Sequence, residues 1–303
     1  MAETIESRIL RLKEERNAVI LAHNYQRAEI QQIADHRGDS LGLSRVAAAT
    51  DADVIVFCGV HFMAETAAIL SPDKTVLLPN IHAGCPMADM ITADQLRALK
   101  SEHPGAVVVT YVNSSAEVKA ESDYCCTSAN ATAIVNSIEP GREIIFAPDK
   151  FLGAYTAQQT GREMLLWQGY CPTHACISPR EIERMAAAHP AAKVIAHPEC
   201  PPRVLALADA ILSTSGMCSY AAEDPATEFI VATELGMLDR LRADNPGKTF
   251  YPATTNAVCP NMKAITMDDL LWSLEDMQHE IRVPRDIAEK ASKAIQRMVN
   301  TLE

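Results

Sequence analysis

The segment Asn80–Ala88 (NIHAGCPMA) recurs twice in altered form, as Gln168–His174 (QGYCPTH) and Asn256–Met262 (NAVCPNM). The cysteines at their centres, Cys85, Cys171 and Cys259, lie 86 and 88 residues apart. Each is followed seven residues later by a helix-start residue: Thr92, Ser178 or Thr266. Thr92 with Gln95 and Ser178 with Glu181 match the capping box, and Pro179 stands where a first helical residue tolerates proline. A chain so punctuated folds as one supersecondary unit used three times, with one thiol per copy delivered to a common centre.

Each copy alternates short apolar runs with helix patterns. Ala18–Ala22 (AVILA), Val54–Phe57 and Thr75–Leu78 read as strands of the first copy, with His61–Leu70 a helix between the last two. Ala106–Thr110, Glu143–Phe146 and Met164–Leu166 serve the second; Lys193–Ala196, Glu228–Val231 and Thr249–Tyr251 serve the third. Continuously apolar strands alternating with helices predict parallel sheets covered on both faces. The fold class is therefore α/β: three homologous three-layer αβα domains around a pseudo-threefold axis, with the active site at the centre. The boundaries fall at 1–91 plus 266–303, 92–177 and 178–265. Thr4–Arg16 reads as an amphipathic helix with Ile5, Ile9, Leu10 and Leu12 near one face. Residues 266–303 add two helices, the second after Pro284, that pack back on the first copy.

Registering the copies exposes the candidate site, because ligand groups in such folds gather at the carboxyl ends of strands. His23, Tyr111 and His197 each end the first strand of a copy. Two residues on stand Tyr25, Asn113 and Glu199, and seventeen residues on stand Ser40, Ser128 and Thr214. The three hydroxyls read as helix N-caps. Three helix N-termini facing one cavity would hold carboxylates or a phosphate with few cationic side chains. Tyr25 and Glu199 are the groups for proton transfer, if their pKa values move toward neutrality. His197 and Glu199 can both face the cavity only if a turn begins at Pro198.

Three thiols make a soft metal site one ligand short, open to Lewis-acid chemistry at the fourth position. Cys58, Cys125, Cys126, Cys176, Cys200 and Cys218 read as packing residues. A net charge of −12 argues against nucleic acid as a partner, since its binding is carried by clustered Lys and Arg. No apolar run approaches a membrane span, and the charged opening stretch MAETIESRILRLKEERN lacks the apolar core of a signal peptide. A reduced cytoplasmic chain is expected.

In AHNYQ (22–26), GDS (38–40), YVN (111–113), TSAN (127–130), HPEC (197–200) and CPNMK (259–263) the chain resembles the quinolinate synthases, over residues 18 to 266. The resemblance implies a [4Fe–4S] cluster on Cys85, Cys171 and Cys259 whose fourth iron is open to substrate. It implies condensation of iminoaspartate with dihydroxyacetone phosphate to quinolinate, phosphate and two waters, on the way to NAD. Substrate contacts would fall to His23, Ser40, Tyr111, Asn113, Ser128, His197, Glu199 and Thr214. The catalytic set would be Tyr25, Glu199, His23 and His174, the last a histidine near the cluster. Only Cys259 stands where longer members carry an extra cysteine pair, so this is the short form and their disulfide switch is not expected. An aspartate oxidase or dehydrogenase would supply the imine. The competing readings are a cluster-dependent hydro-lyase acting on a hydroxy acid and a non-catalytic zinc or redox-sensing module. Radical chemistry with S-adenosylmethionine is disfavoured by the absence of a C-x-x-x-C-x-x-C motif.

Overall fold

A computed structural model describes residues 3–301; the outer limits 1 and 303 of the first expected domain lie outside the described residues. The first sheet contains β1 (Ala18–His23), β2 (His36–Gly38), β3 (Val54–Cys58) and β4 (Thr75–Leu77). The second contains β5 (Val107–Tyr111), β6 (Tyr124–Cys126), β7 (Ile144–Ala147) and β8 (Leu165–Leu166). The third contains β9 (Lys193–Ala196), β10 (Ala210–Ile211), β11 (Glu228–Ala232) and β12 (Thr249–Pro252). The strand orders are β2-β1-β3-β4, β6-β5-β7-β8 and β10-β9-β11-β12. Every pairing is parallel. The chain is thus an α/β protein of three like sheets, as its repeat predicts.

The central strands of each sheet are buried along nearly their whole length, which is why they read as unbroken apolar runs. The edge strands β2, β6 and β10 escape a sequence reading, although β4 and β8, equally short, do not; the place of the former depends on a contact rather than on an apolar run. One device repeats at all three of those edges. Asp35, Asp123 and Asp209 precede the edge strand, and their carboxylates accept the backbone N–H of Ile20, Val108 and Val194 at 2.8, 2.8 and 2.7 Å. The same carbonyls of Ile20, Val108 and Val194 take the aspartate amides in return. Each aspartate pins its edge strand by satisfying one central-strand donor.

The helices after the cysteines follow the same rule. Ala93–Glu102, Pro179–Ala188 and Met267–Asp276 each begin with a capping box, from Thr92 and Gln95, Ser178 and Glu181, and Thr266 and Asp269. Leu96 packs with Val108 and Ile145 of the second sheet, and Ile182 with Val194 and Ile230 of the third. Met267–Asp276 closes the series by packing on β3 and on the helix Ile5–Glu15. Each such buried Leu or Ile contributes about 1.5–3 kcal/mol. The last helix, Arg285–Asn300, is not confined to the first copy. It lies on His61–Leu70 of the first and on Ala116–Ala120 and β6 of the second, and Asn130 Nδ2 donates to its Met298 carbonyl at 2.9 Å. In Ile5–Glu15 only Ile9 and Leu12 are buried, while Ile5 and Leu10 are exposed. Leu10 lies about 100° around the helix from Ile9 and so leaves the inward face. Among the described residues no helix is long and apolar enough to cross a membrane.

Candidate active site

The carboxyl ends of the first strands converge on one cavity. His23 ends β1, Tyr111 ends β5, and His197 follows β9. They line the cavity together with Tyr25, Asn113, Glu199, Ser40, Ser128, Thr214, His174, Cys85, Cys171 and Cys259. All the candidates named from sequence therefore meet in one place. The cavity volume is about 70 Å³. No Lys or Arg among the described residues lines it.

A tight turn after β1 and β9 aims alternate residues inward. Tyr25 N donates to His23 Nδ1 (3.2 Å) and Gln26 N to His23 O (2.9 Å); Glu199 N donates to His197 Nδ1 (3.4 Å) and Cys200 N to His197 O (2.9 Å). The turn removes the strand alternation that would have sent His197 and Glu199 to opposite sides. The hydroxyls differ from expectation in one respect. Asp39 and Ser213 are the N-caps, accepting from Gly42 N and Gly216 N, so Ser40 and Thr214 are the first helical residues instead. The cap position needs an extended backbone and an acceptor, and the preceding residue supplies both. The hydroxyls are thereby released from capping. Thr214 accepts from Asn24 Nδ2 at 2.9 Å, and Ser128 Oγ lies 3.1 Å from His197 Nε2. Ser128 precedes its helix, Ala131–Ser137, by three residues.

One chain of hydrogen bonds crosses the site. Tyr111 OH donates to Glu199 Oε1 (2.6 Å), and Glu199 Oε2 is 2.7 Å from His174 Nδ1. On the other edge of that ring, His174 Nε2 lies 2.8 Å from Thr233 Oγ1 and 3.4 Å from Tyr25 OH, with Thr233 Oγ1 and Tyr25 OH 2.6 Å apart. His174 stacks on His197 at 4.8 Å between ring centres. Burial raises the Tyr25 and Tyr111 hydroxyls well above the usual phenol range, with the Glu199 charge adding to both. Burial opposes the Glu199 charge, yet His174, His197 and the Tyr111 hydroxyl together bring the carboxyl down to about 2. His23 and His197 are lowered to about 3, by burial first, against the pull of Glu199. The expected drift of Tyr25 and Glu199 toward neutrality is thus corrected. Burial holds Tyr25 as a proton donor, whereas Glu199 is held as a carboxylate by His174, His197 and Tyr111 against its burial.

The thiols share a local design. Each cysteine opens a short helical turn, at Ala88–Met90, Pro172–Ala175 and Met262–Ala264. The backbone N–H three residues on, of Ala88, His174 or Met262, bonds to each sulfur. Burial pushes the Cys85 thiol up to about 12, and Cys171 and Cys259 also upward; Cys259 adds to the rise at Cys85, and Cys85 to that at Cys171. Three half-buried soft donors on one cavity wall, each with an amide on its sulfur, fit a thiolate-bound iron–sulfur group. Cys171, His174 and Glu199 also bring three donor atoms within 4.8 Å of one another. Of the other thiols, Cys58, Cys125, Cys126 and Cys200 are buried, whereas Cys176 is exposed; its short helix turns it outward, so it is no packing residue.

Sequence reading missed Asp39 and Glu234, which line the cavity, and Thr233, which bonds to Tyr25 and His174. The usable signal was the register of the third strands in chain order: Thr233 and Glu234 directly follow β11 as the catalytic turns follow β1 and β9.

Fold and cavity together define a triplicated α/β enzyme with a thiol-bearing small-molecule site at its middle. The family described as "Quinolinate synthetase A protein" matches residues 7–300, and the chain belongs to that family. It is 56% identical over 300 residues to the quinolinate synthase of Dehalococcoides mccartyi (strain CBDB1), covering 99% of both chains. It is 56% identical over 298 residues to that of Geobacter metallireducens, covering 98% of both. To that of Methanosarcina barkeri it is 55% identical over 298 residues, covering 98% of this chain and 97% of the relative.

Proposed function

We propose that this chain is a quinolinate synthase that joins iminoaspartate to dihydroxyacetone phosphate, releasing phosphate and two waters, in NAD biosynthesis. The observation that carries the reading is the convergence of three equivalent thiols on a cavity already holding the Tyr111–Glu199–His174–Thr233–Tyr25 chain. Cys85, Cys171 and Cys259 would hold a [4Fe–4S] cluster, which when bound supplies a Lewis acid for departing hydroxyl groups.

The residues divide the remaining work. Ser40, Ser128, Thr214 and Asn113 offer neutral donors to carboxylate and phosphate oxygens, with the N-termini of the ten-residue helices Ser40–Ala49 and Thr214–Glu223 behind two of them. This suits anionic substrates in a wall without Lys or Arg. Tyr25, protonated, gives a proton to a leaving oxygen; Thr233 stands in hydrogen-bond reach to replace it, with His174 next along the chain. Glu199 holds the His174 ring by Nδ1 and fixes Tyr111 beside it. His23 and His197, neutral, accept or donate hydrogen bonds to substrate without adding charge. Buried walls keep bulk water from the imine, which water hydrolyses.

We further assign the units as 1–91 with 266–303, 92–177 and 178–265, place the enzyme in the cytoplasm, and couple it to an aspartate oxidase or dehydrogenase for its imine. The test is iron, sulfide and quinolinate formation on oxygen-free protein, wild type and Cys171→Ala. About four irons and four sulfides per chain, with product formation, both lost in the variant, support the proposal. Stoichiometric zinc without sulfide would instead assign the Cys171–His174–Glu199 group to a divalent ion and overturn it.

A further inference from the structure

One of the three thiol loops is tied to a buried carboxylate at a fixed place in the repeat. β3, β7 and β11 end at Cys58, Ala147 and Ala232, which pair with Ala22, Thr110 and Ala196 on the first strands. Two residues beyond those ends stand Val60, Asp149 and Glu234. Asp149 and Glu234 are fully buried. Asp149 Oδ1 serves its own helix start, accepting from Phe151 N and Leu152 N at 2.8 Å. The Cys259 amide donates to Glu234 Oε1 at 3.1 Å, and Gly236 N to Oε2 at 2.6 Å. Lys263 Nζ lies 3.2 Å from Glu234 and also donates to the Tyr25 carbonyl. The first copy has no carboxylate here; backbone alone makes the tie, His61 N to Ala83 O at 2.7 Å.

We propose that Glu234 is a positioning residue that preforms the Cys259 loop and, through Lys263, locks it to the turn carrying His23 and Tyr25. The buried Glu234 side chain takes the Cys259 amide, the Gly236 amide and the Lys263 ammonium together, so the cysteine amide is held in one orientation whether or not a metal is present. Gly236 belongs to the same lock: a Cβ there would stand 2.6 Å from Lys263 Nζ and 2.7 Å from the Tyr25 carbonyl. The Cys85 and Cys171 loops lack this brace. The inference rests on the three cysteines being the ligands of the proposed centre.

The test is alkylation of the metal-free protein with iodoacetamide, each cysteine followed by mass spectrometry, alongside iron loss from the oxygen-free holoenzyme to a ferrous chelator. Glu234→Ala speeds labelling of Cys259 roughly tenfold, the worth of one buried charged hydrogen bond, with Cys85 and Cys171 unchanged. The variant loses iron roughly tenfold faster than wild type. Glu234→Gln, which keeps side-chain volume, shows the same selectivity to a smaller degree and is read where the alanine variant does not fold. Unchanged labelling, or equal acceleration at all three cysteines, overturns the proposal. A wild type that binds no iron or sulfide defeats the functional reading instead, and the labelling pattern still decides this one.

Discussion

Thr233→Val tests the proton path with the least disturbance, because valine keeps the shape and β-branching of threonine and removes only the hydroxyl. That hydroxyl joins Tyr25 OH at 2.6 Å and His174 Nε2 at 2.8 Å. Without it, the Tyr25 hydroxyl retains one protein partner, His174 Nε2 at 3.4 Å, beyond good hydrogen-bond range. A buried group left short of a partner costs about 1–3 kcal/mol. If the cost is borne in the transition state, kcat falls by roughly 5- to 150-fold while KM changes little. Thr233→Ser restores the hydroxyl and keeps kcat within roughly threefold of wild type. The assay is oxygen-free quinolinate formation over a range of both substrates, with iron and sulfide measured on each preparation. Thr233 touches no proposed metal ligand directly, so cluster content stays at the wild-type level. Full activity in Thr233→Val, or a Thr233→Ser variant as slow as Thr233→Val, refutes the relay through this residue. A double variant with Tyr25→Phe sharpens the result: if the groups act as one path, its loss is no greater than that of the worse single variant.

Further outcomes follow from the same geometry. Tyr111→Phe removes the 2.6 Å donor to Glu199, a charge-assisted bond worth about 1.5–3 kcal/mol, and lowers kcat/KM roughly 10- to 150-fold in the same assay. For metal-free protein, His23 and His197 at about 3 in the folded state against 6.5 unfolded make the unfolded chain bind more protons between those values. Each imidazole therefore contributes a gain of about 1.4 kcal/mol per pH unit from about pH 3 to 6.5; Glu199, lowered to about 2, adds a gain of the same sign below pH 4.5, whereas Glu65, Asp149 and Glu234, raised by burial, contribute in the opposite sense. His23→Phe therefore flattens the pH slope of the urea midpoint between pH 4 and 6.5, and an unchanged slope would contradict it. Lys119 is fully buried, donating to Ser114 O at 2.6 Å and Phe62 O at 3.4 Å with Glu65 nearby. Lys119→Ala costs about 3 kcal/mol in urea unfolding, whereas a loss under 1 kcal/mol would mean the ammonium contributes little.

The repeat made the architecture legible. Apolar runs such as VILA and VVV can be satisfied only by two-sided burial, and cysteines spaced by one repeat length must come to equivalent places. Strand-end residues were legible for the same reason, since one register located His23, Tyr111 and His197 at once. The edge strands β2, β6 and β10 were not, because each is placed by an aspartate that reaches back to a central strand, as Asp209 does to Val194 N. Thr233 and Glu234 were missed because neither residue type is unusual after a strand. Their role comes from neighbours remote in sequence, Tyr25 and Lys263, and only the folded chain brings these together. Ser40, Ser128 and Thr214 read as caps from the sequence, whereas Asp39, Asn130 and Ser213 hold the cap positions.

The division between what repeats and what differs has a physical basis. The aspartate clamps, the capping boxes and the amide-to-sulfur bonds occur three times, because each solves a backbone problem that every copy shares. The inward residues do not repeat in type. The first strand ends give His23, Tyr111 and His197, and the positions two beyond give Tyr25, Asn113 and Glu199. A threefold set of identical groups would surround a substrate with one chemistry. Three glutamates at that position would repel one another in a buried space, and three tyrosines would leave no carboxylate to orient His174. Only one copy carries the carboxylate, and the histidine that it holds comes from a second copy, on the turn after Cys171. The phenol at the far end of the path comes from the first copy and reaches that histidine across the axis. No single unit could assemble this chain of bonds. The site therefore exists only when all three sheets are docked, which places its working parts at the junction of the repeats.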